Sequence, residues 1–355
     1  MHYALTTYNY NITMSDSNNC VSLEQAKAPF FVGIDLGGTN TKFGVVDDNG
    51  QTIARLSIPT RVSEGPEQAA TRIGEAVLEV AQKAGLSKEQ IKAVGLASAG
   101  TMDIPGGRLM VPANLGPLWN YYPIRDKVSA ACGLPVVFAN DADAAAYGEY
   151  WIGPGKEYQS MIMLTLGTGL GCGIIYNNMI ISGAHSHGGE YGHTLVDLLP
   201  NARVCGCGKA GHLEAYVSAT SVIKRMKEAI AAGKSTSVAK LIEQGAELDA
   251  KLVGDEAAKG DQVSLEIVMD VARYLGVGMI NLMHTIDPEC ILIGGAMTFG
   301  KNETELGRAF KEKVRQTINE GAYKVLAENT VIEYAELGGD AGYIGAAGIA
   351  RAAVE

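Results

Sequence analysis

The chain of 355 residues has no long apolar run, no excess of positive charge and no cysteine framework. No stretch approaches the roughly 18 apolar residues of a membrane-spanning helix. The formal net charge of −10 argues against a general nucleic-acid or anionic-membrane binder, although backbone N–H groups can still hold a small phosphorylated ligand. Only two of the six cysteines are clustered, and the opening "MHYALTTYNYNITMSDSNNC" is not a signal peptide. These absences predict a cytoplasmic protein.

The length exceeds that at which a single hydrophobic core stops growing, so two domains are expected. The predicted segments are a disordered tail over 1–29, a small N-terminal α/β domain over 30–139, a larger α/β domain over 140–339, and a helix over 340–355 that packs back on the first domain. Met14 is an alternative start of the chain, which would shorten the tail.

An internal repeat supports the division into two domains. Segment 32–54, "VGIDLGGTNTKFGVVDDNGQTIA", can be laid over segment 162–184, "IMLTLGTGLGCGIIYNNMIISGA", without a gap. Both read as an apolar strand, a Gly/Thr turn, a second apolar strand, an Asn/Asp turn and a short third strand. Copies so far apart indicate a duplicated domain, because solenoid repeats recur every ~20–50 residues.

The rest of the chain alternates between helical and strand patterns. An amphipathic stretch over 66–83 predicts a helix, with Ser63 as its cap. Further helices are predicted near 213–232, 264–286, 303–318 and from 340, with the strands "IKAVGLAS", "LPVVFAND", "CILIGG" and "VIEYA" between them. This alternation predicts an α/β protein whose two domains face each other across a cleft, each with a Gly-rich turn at the cleft.

The two Gly-rich turns suit the binding of phosphate. Consecutive N–H groups without side chains form an anion-binding nest. The candidates are Gly37, Gly38, Thr39 and Asn40 with Lys42 nearby, and Gly167, Thr168 and Gly169 in the second copy. Neither a Walker A motif nor a Rossmann fingerprint is present. The alternative is two tight hairpins that need positive φ, but equivalent turns in duplicated domains favour a shared triphosphate.

The same segments resemble known families. "VGIDLGGTNTKFGVV" and "LTLGTGLGCGI" resemble the two phosphate segments of the sugar-kinase/actin/heat-shock-chaperone superfamily, and "ILIGGAM" its adenosine segment, with Gly294 and Gly295 at the nucleotide. "EYGH" and "CGCGKAGHLEAY" are similar to the hallmark of the ROK family of bacterial glucokinases, related hexose and N-acetylhexosamine kinases, and sugar-responsive repressors. The resemblance runs from about residue 30 to the end. It implies two ribonuclease H-like (actin-like ATPase) domains with an interdomain cleft.

Asn140 and Asp141 lie where a predicted buried strand ends and a helix begins, at the usual ligand edge of an α/β sheet. A helix N-terminus should keep Asp141 ionised. Position alone favours simple helix capping. The resemblance implies instead that Asp141 is the catalytic base and Asn140 a sugar ligand. Asp35 either caps a turn or holds Mg²⁺ through water, and the resemblance favours the metal.

His193, Cys205, Cys207 and His212 form a candidate metal site. Four N and S ligands suit tetrahedral structural zinc, whereas the alternative is free thiols beside surface histidines. In the resembled family the site has one His and three Cys, written C-x-C-G-x-x-G-C, and His212 stands here for the last Cys. We therefore interpret the set as a Cys₂His₂ variant. By resemblance, Glu190, His193 and Glu214 bind sugar hydroxyls. Asn114 is a further candidate, although asparagine in such a loop is usually a turn residue.

The expected activity is transfer of the γ-phosphate of MgATP to the 6-OH of a hexose, foremost glucose, in carbohydrate metabolism and glycolysis. Mannose, fructose and N-acetylhexosamines are alternative substrates, and polyphosphate is an alternative donor. A non-catalytic sugar sensor is the alternative of another class. The family's repressors carry a helix-turn-helix, but the residues before Val32 are not basic and show no such pattern. A homodimer or tetramer is expected from the family, and one loop departs from its G-x-P-G pattern at Ala99.

Overall fold

The computed structural model describes residues 20–354 except Ala113. Most of the predicted tail, residues 1–19, lies outside the described residues. The part from Cys20 to Pro29 lies against the first sheet, because Val21 N–H donates to Thr52 O (2.9 Å) and Lys27 N–H to the Asp47 carboxylate (2.9 Å). No helix of the described chain is both long and apolar enough to cross a membrane.

The described strands and helices follow in chain order. The strands are β1 (Phe30–Leu36), β2 (Asn40–Val46), β3 (Thr52–Pro59), β4 (Ile91–Ser98), β5 (Thr101–Asp103), β6 (Arg108–Val111), β7 (Val136–Asn140), β8 (Ser160–Leu166), β9 (Leu170–Tyr176), β10 (Met179–Ile180), β11 (Cys290–Gly295) and β12 (Val331–Tyr334). The α-helices are α1 (Pro66–Lys83), α2 (Ile124–Cys132), α3 (Asp141–Trp151), α4 (Glu214–Val217), α5 (Ala219–Ala231), α6 (Ser237–Glu243), α7 (Ala250–Ala258), α8 (Gln262–Ile286), α9 (Glu305–Gly321), α10 (Lys324–Asn329) and α11 (Ala341–Ala352).

Two five-stranded sheets share one topology. The first has the order β3-β2-β1-β4-β7 and the second the order β10-β9-β8-β11-β12. In each sheet an antiparallel three-stranded unit is extended by two parallel strands. Their central strands are buried along almost their whole length, as expected for parallel strands covered on both faces. The predicted duplication and the α/β fold are confirmed.

The gapless overlay of the two copies needs one correction at the first turn. Leu36 pairs with Thr41 across four residues, whereas Leu166 pairs with Leu170 across three. A shift of one residue turns every following side chain to the other face. Lys42 therefore corresponds to Gly171, and Gly44 to Gly173, rather than to Cys172 and Ile174. The burial patterns of β2 and β9 agree with this shifted alignment.

Helix boundaries differ from the sequence expectation where local caps decide them. The cap of α1 is Gly65, with Pro66 at the first helical position, and not Ser63, which lies in a preceding 3₁₀ turn. The helix expected over 213–232 is interrupted at Ser218, whose Oγ accepts the N–H of Ser221 (3.2 Å) and so starts α5. The helix expected over 303–318 begins at Glu305, after the cap Thr304.

Helices α3 and α11 pack against each other and each covers one sheet. Any side chain at Gly33 or Gly95 would overlap the backbone of α11, and one at Gly173 would overlap α3. Between the two helices, a side chain at Gly345 would overlap the carbonyl of Ala144. Backbone contact this close fixes the relative position of the sheets. The C-terminal helix therefore lies on the first sheet, although it follows the second in the chain.

Candidate active site

The first Gly-rich turn, residues 37–40, is closed by its own backbone and by β3. Gly37 N–H donates to Asn40 O (3.2 Å), and Thr60 Oγ1 donates to Gly37 O (2.6 Å). The hairpin alternative explained the glycines by a need for positive φ. None of the glycines in this turn has a positive φ, so that explanation is wrong. Space is the reason at Gly38, since a Cβ there would lie 2.7 Å from Asn114 O. The loop that carries Asn114 therefore touches this turn.

The second turn, residues 167–169, is held from the start of α5. Ala219 N–H donates to Gly167 O (2.8 Å), and Thr220 Oγ1 donates to Thr168 O (2.8 Å). Its glycines also lack positive φ. A Cβ on Gly167 would meet nothing within 4 Å, so this backbone faces open space. An open turn with glycine on both sides of Thr168 can receive phosphate oxygens through its N–H groups.

The proposed adenosine segment lies directly beside the second turn. Gly294 and Gly295 end β11, and Gly295 has a φ of 88°, which favours glycine. Met297 N–H then donates to Leu166 O (3.1 Å), the last carbonyl before the second turn. The end of β11 and the second turn are thus neighbours, as a nucleotide that spans both would require.

Asp35 and Lys42 face each other across the β1–β2 pair. Burial raises the pKa of the Asp35 carboxyl, and the positive charge of Lys42 partly opposes this. Lys42 Nζ also donates to Gly339 O (2.9 Å), just before α11. A half-buried carboxylate beside a candidate phosphate turn is the hard oxygen ligand that Mg²⁺ prefers, so Asp35 fits the ion.

Asn140 and Asp141 end β7 and begin α3, as expected. Asn140 caps the helix, since its Oδ1 accepts the N–H groups of Ala142 (2.8 Å) and Asp143 (3.3 Å), and its Nδ2 donor is not used by the cap. Asp141 accepts the N–H of Ala142 (2.9 Å). Asn140 is thus the N-cap of α3, as the capping alternative predicted. Asp141 is the first residue of the helix and is not its cap.

The pKa of Asp141 differs from the expectation that the helix N-terminus alone keeps this carboxyl ionised. Burial, followed by the negative charge of Asp35, raises the pKa of Asp141 to about 6, and Glu190 adds to the shift. The helix N–H groups oppose this increase but do not overcome it. A carboxyl with such a pKa is still mostly ionised at neutral pH and binds a proton more readily than an ordinary aspartate.

Asp143 is a site residue that the sequence analysis missed. It is buried, and burial, with the charges of Asp141 and Glu190, raises the pKa of Asp143 to about 7. Ser182 Oγ donates to its Oδ2 (3.1 Å), which ties α3 to the segment before Glu190. An acidic residue in the first helical turn is common, so the sequence carried no signal that this one is buried.

The structure brings together the four candidate zinc ligands. Their ligand atoms all lie within 4.8 Å of one another. His193 Nδ1 is 3.8 Å from Cys205 Sγ, and His212 Nδ1 is 3.3 Å from Cys207 Sγ. Separations of about 3–4 Å are what four tetrahedral N and S ligands of one zinc ion have. Burial and the neighbouring His193 lower the pKa of His212, which favours the neutral, metal-binding imidazole. The set, including His212, fits zinc.

The candidate sugar residues surround the same region. His193 directs Nδ1 to the cysteines, while its Nε2 lies 3.6 Å from Glu190 Oε2. Glu190 lies close enough to Asp141 to raise its pKa. Glu214 Oε2 accepts the N–H of Leu170 (3.1 Å), and its Oε1 lies 3.2 Å from Cys205 Sγ. Glu214 therefore joins the metal cluster to the second turn.

Comparisons with known proteins agree with this geometry. The ROK family model matches residues 31–353, and the chain belongs to the ROK family. A glucokinase of Thermotoga maritima is 33% identical over 323 residues, which cover 90% of this chain and 96% of the relative.

Two solved structures are similar over nearly their whole length. A ROK hexokinase from Thermus thermophilus has a TM-score of 0.76 at 30% identity, covering 92% of this chain and 99% of that one. A ROK family glucokinase from Streptomyces griseus, in complex with glucose and AMPPNP, has a TM-score of 0.74 at 32% identity, with coverage of 91% and 99%. The expected family and fold are therefore confirmed.

Proposed function

We propose that this ROK protein is a glucokinase, which transfers the γ-phosphate of ATP to the 6-hydroxyl of glucose. The observation that carries the proposal is the position of Asp141, a half-buried carboxylate whose pKa is raised to about 6 by burial and by the charge of Asp35, which lies in β1 just before the first turn. The glucokinase relative and the glucose-bound structure, both above 30% identity, support glucose as the acceptor.

The two turns bind the phosphates in this mechanism. The N–H groups of residues 37–40 and 167–169 receive the phosphate oxygens, with Lys42 adding positive charge and the end of β11 at Gly294 and Gly295 receiving the adenosine. Asp35 would hold Mg²⁺ through water, and the ion, when bound, would supply positive charge beside the phosphates. Positioning of this kind supplies most of the catalysis in phosphoryl transfer.

Asp141 acts on the acceptor. Its carboxylate accepts the proton of the sugar 6-hydroxyl as the oxygen bonds to the γ-phosphorus and ADP leaves. A raised pKa makes the carboxylate a stronger base than an exposed aspartate while it stays ionised near pH 7. Asn140 donates to the sugar through the amide nitrogen that its cap does not use. Asn114, Glu190, His193 and Glu214 bind the remaining hydroxyls.

A coupled ADP-release assay tests the proposal. MgATP and polyphosphate are supplied as donors, with glucose, mannose, fructose and N-acetylhexosamines as acceptors. Turnover with glucose and ATP is expected, and Asp141→Asn should lower kcat by about 10²–10⁴-fold, the usual loss of a general base. Asp126→Asn, at an exposed residue that pairs with its neighbour Arg125, is the matched control. Sugar binding without turnover on any acceptor would refute the kinase and favour the sensor.

We also propose that His193, Cys205, Cys207 and His212 hold one structural zinc ion. The ion would fix the segment that carries Glu190 and Glu214. Cys205→Ser should abolish the zinc content, lower the melting temperature and raise KM for glucose, as when a structural metal is lost. Cys20→Ser, at an exposed thiol outside the cluster, should change none of these. Protein that binds no zinc after reconstitution, as measured by elemental analysis, would contradict the assignment.

The domain boundaries at 139/140 and 339/340 and the cytoplasmic location remain proposals drawn from the sequence pattern and composition. The homodimeric or tetrameric state remains a proposal drawn from the family. Light scattering of the purified protein gives its oligomeric state directly.

A further inference from the structure

One hydrogen bond connects two segments that belong to different halves of the molecule. One is the turn between β5 and β6, and the other is the loop that follows β10. The N–H of Ile104 donates to Oγ of Ser186 over 3.0 Å. Ile104 lies in the turn between β5 and β6 and packs against the first core. Ser186 lies in the 182–188 loop, whose flanking residues Ile181 and Tyr191 pack against the second core. The bond therefore spans the two halves of the molecule.

Ser186 contacts Ile104 while its own backbone is in an unfavourable conformation. Its φ is 60°, in the left-handed region that residues other than glycine rarely adopt. The side chain is half-buried, whereas the adjacent His185 and His187 are exposed. Backbone strain that persists in a structure is held there by its surroundings, and it concentrates at functional positions. At Ser186 the strained conformation places the hydroxyl on the N–H of Ile104.

The base of the 182–188 loop is fixed independently of this contact. Gly188 N–H donates to Ser182 O (2.8 Å) and closes the loop, while Ser182 Oγ donates to the buried Asp143. A Cβ on Gly189 would overlap the carbonyl of Cys172 in β9. The loop is thus anchored to the second half at its base, and Ser186 contacts the first half from its tip.

Both partners lead along the chain to candidate sugar ligands. From Ile104 the chain runs through β6 to Asn114, which touches the first phosphate turn. From Ser186 it runs to Glu190, whose carboxylate lies 3.6 Å from His193 Nε2. The width of the gap between Asn114 and Glu190 therefore depends on how the two segments are held together.

We propose that Ser186 is a positioning residue for sugar binding. Its hydroxyl holds the 182–188 loop on the β5–β6 turn and so keeps Asn114 and Glu190 at the spacing at which both reach one sugar. The inference rests on the proposed sugar-kinase function. It concerns the acceptor, because Asn114 and Glu190 are both candidate sugar ligands.

Two substitutions separate the hydroxyl from the backbone strain. Ser186→Ala removes the hydroxyl and keeps the strain, whereas Ser186→Gly removes both. We expect both to raise KM for glucose about fivefold, the usual effect of one neutral hydrogen bond, and to leave KM for ATP unchanged. His185→Ala, on the same loop but exposed, should leave both constants unchanged.

Small-angle X-ray scattering of the sugar-free proteins supplies a readout that does not require activity. A larger radius of gyration in Ser186→Ala and Ser186→Gly than in the unmodified protein is expected when the 182–188 loop separates from the β5–β6 turn, while α3 and α11 still hold the two sheets together. An unchanged radius together with an unchanged KM, or a Ser186→Gly protein that binds glucose more tightly, would overturn the proposal. Absence of turnover in the unmodified protein would refute the kinase function instead, and the scattering comparison would still decide the role of Ser186.

Discussion

The β1–β2 hairpin and the β8–β9 hairpin share their pairing direction and their place in the sheet, yet they carry different side chains at matched positions. The first places Asp35 opposite Lys42, while the second places Thr165 opposite Gly171. A side chain at residue 171 would overlap Thr165 Oγ1, so the second hairpin has no room for a counterpart of Lys42. The two copies share the strand pairing on either side of the turn, and the acidic and basic pair is present in the first copy alone of these two matched positions.

The largest expected effect on activity comes from substituting each of the matched residues Asp35 and Thr165 in turn. Asp35→Asn should lower kcat by roughly 10–100-fold at fixed Mg²⁺, because a ligand that acts through metal-bound water is weakened, and excess Mg²⁺ should recover part of the loss. Thr165→Val removes a neutral hydroxyl of similar volume and should change kcat little. Comparable losses in both variants, in the same ADP-release assay, would show that the two hairpins share the metal chemistry.

The glycines of the two hairpins can be tested for what they have in common. Gly44 and Gly173 lie at equivalent positions, where a Cβ would overlap Tyr343 of α11 and Ala146 of α3 respectively. Alanine at either should lower the free energy of unfolding by about 1–3 kcal/mol, the usual cost of overpacking a core. Gly167→Ala has open space and should keep full stability while raising KM for ATP. Chemical denaturation measures the first effect, and full stability of Gly44→Ala would contradict the close packing of Tyr343 on β2.

The smallest expected effect concerns pH. The base must be deprotonated, and because the pKa of Asp141 is raised to about 6, kcat/KM for glucose should fall about tenfold per unit as the pH decreases below 6. Asp35 contributes negative charge to this increase, so in Asp35→Asn the acidic limb should move to lower pH. Thr165→Val should leave the limb in place. A limb that moves upward in Asp35→Asn would refute the assigned cause.

Much of the fold and of the candidate site followed from local patterns. Hydrophobic periodicity and turn residues marked the two hairpins, and the position of Asn140 and Asp141 at a strand end placed them at the ligand edge. The spacing of His193, Cys205, Cys207 and His212 indicated a metal site whose four ligands the fold does bring together. These features are visible in sequence because a few neighbouring residues determine each of them.

What the sequence could not supply depends on contacts between distant residues. The one-residue difference between the two turns is invisible in a gapless overlay, because only hydrogen-bond register reveals it. The pKa of Asp141 is set mainly by burial, and secondarily by Asp35, which lies more than a hundred positions away in the chain. The burial of Asp143 also depends on distant residues. Its contact with Ser182 forms only when α3 packs on β9.

The position of helix α11 limits the order in which the two halves can fold during synthesis, because α11 follows the second sheet in the chain but packs on the first. The first sheet leaves the ribosome early, but the helix that covers one face of β1 and β4 comes last among the described elements. Domains otherwise tend to fold in the order in which they are made. Here the earlier half keeps apolar surface exposed until the later half, with α3, is available and the final helix docks between them. The two turns proposed to bind phosphate therefore take up their final relative places only after α11 has packed against both β1 and α3.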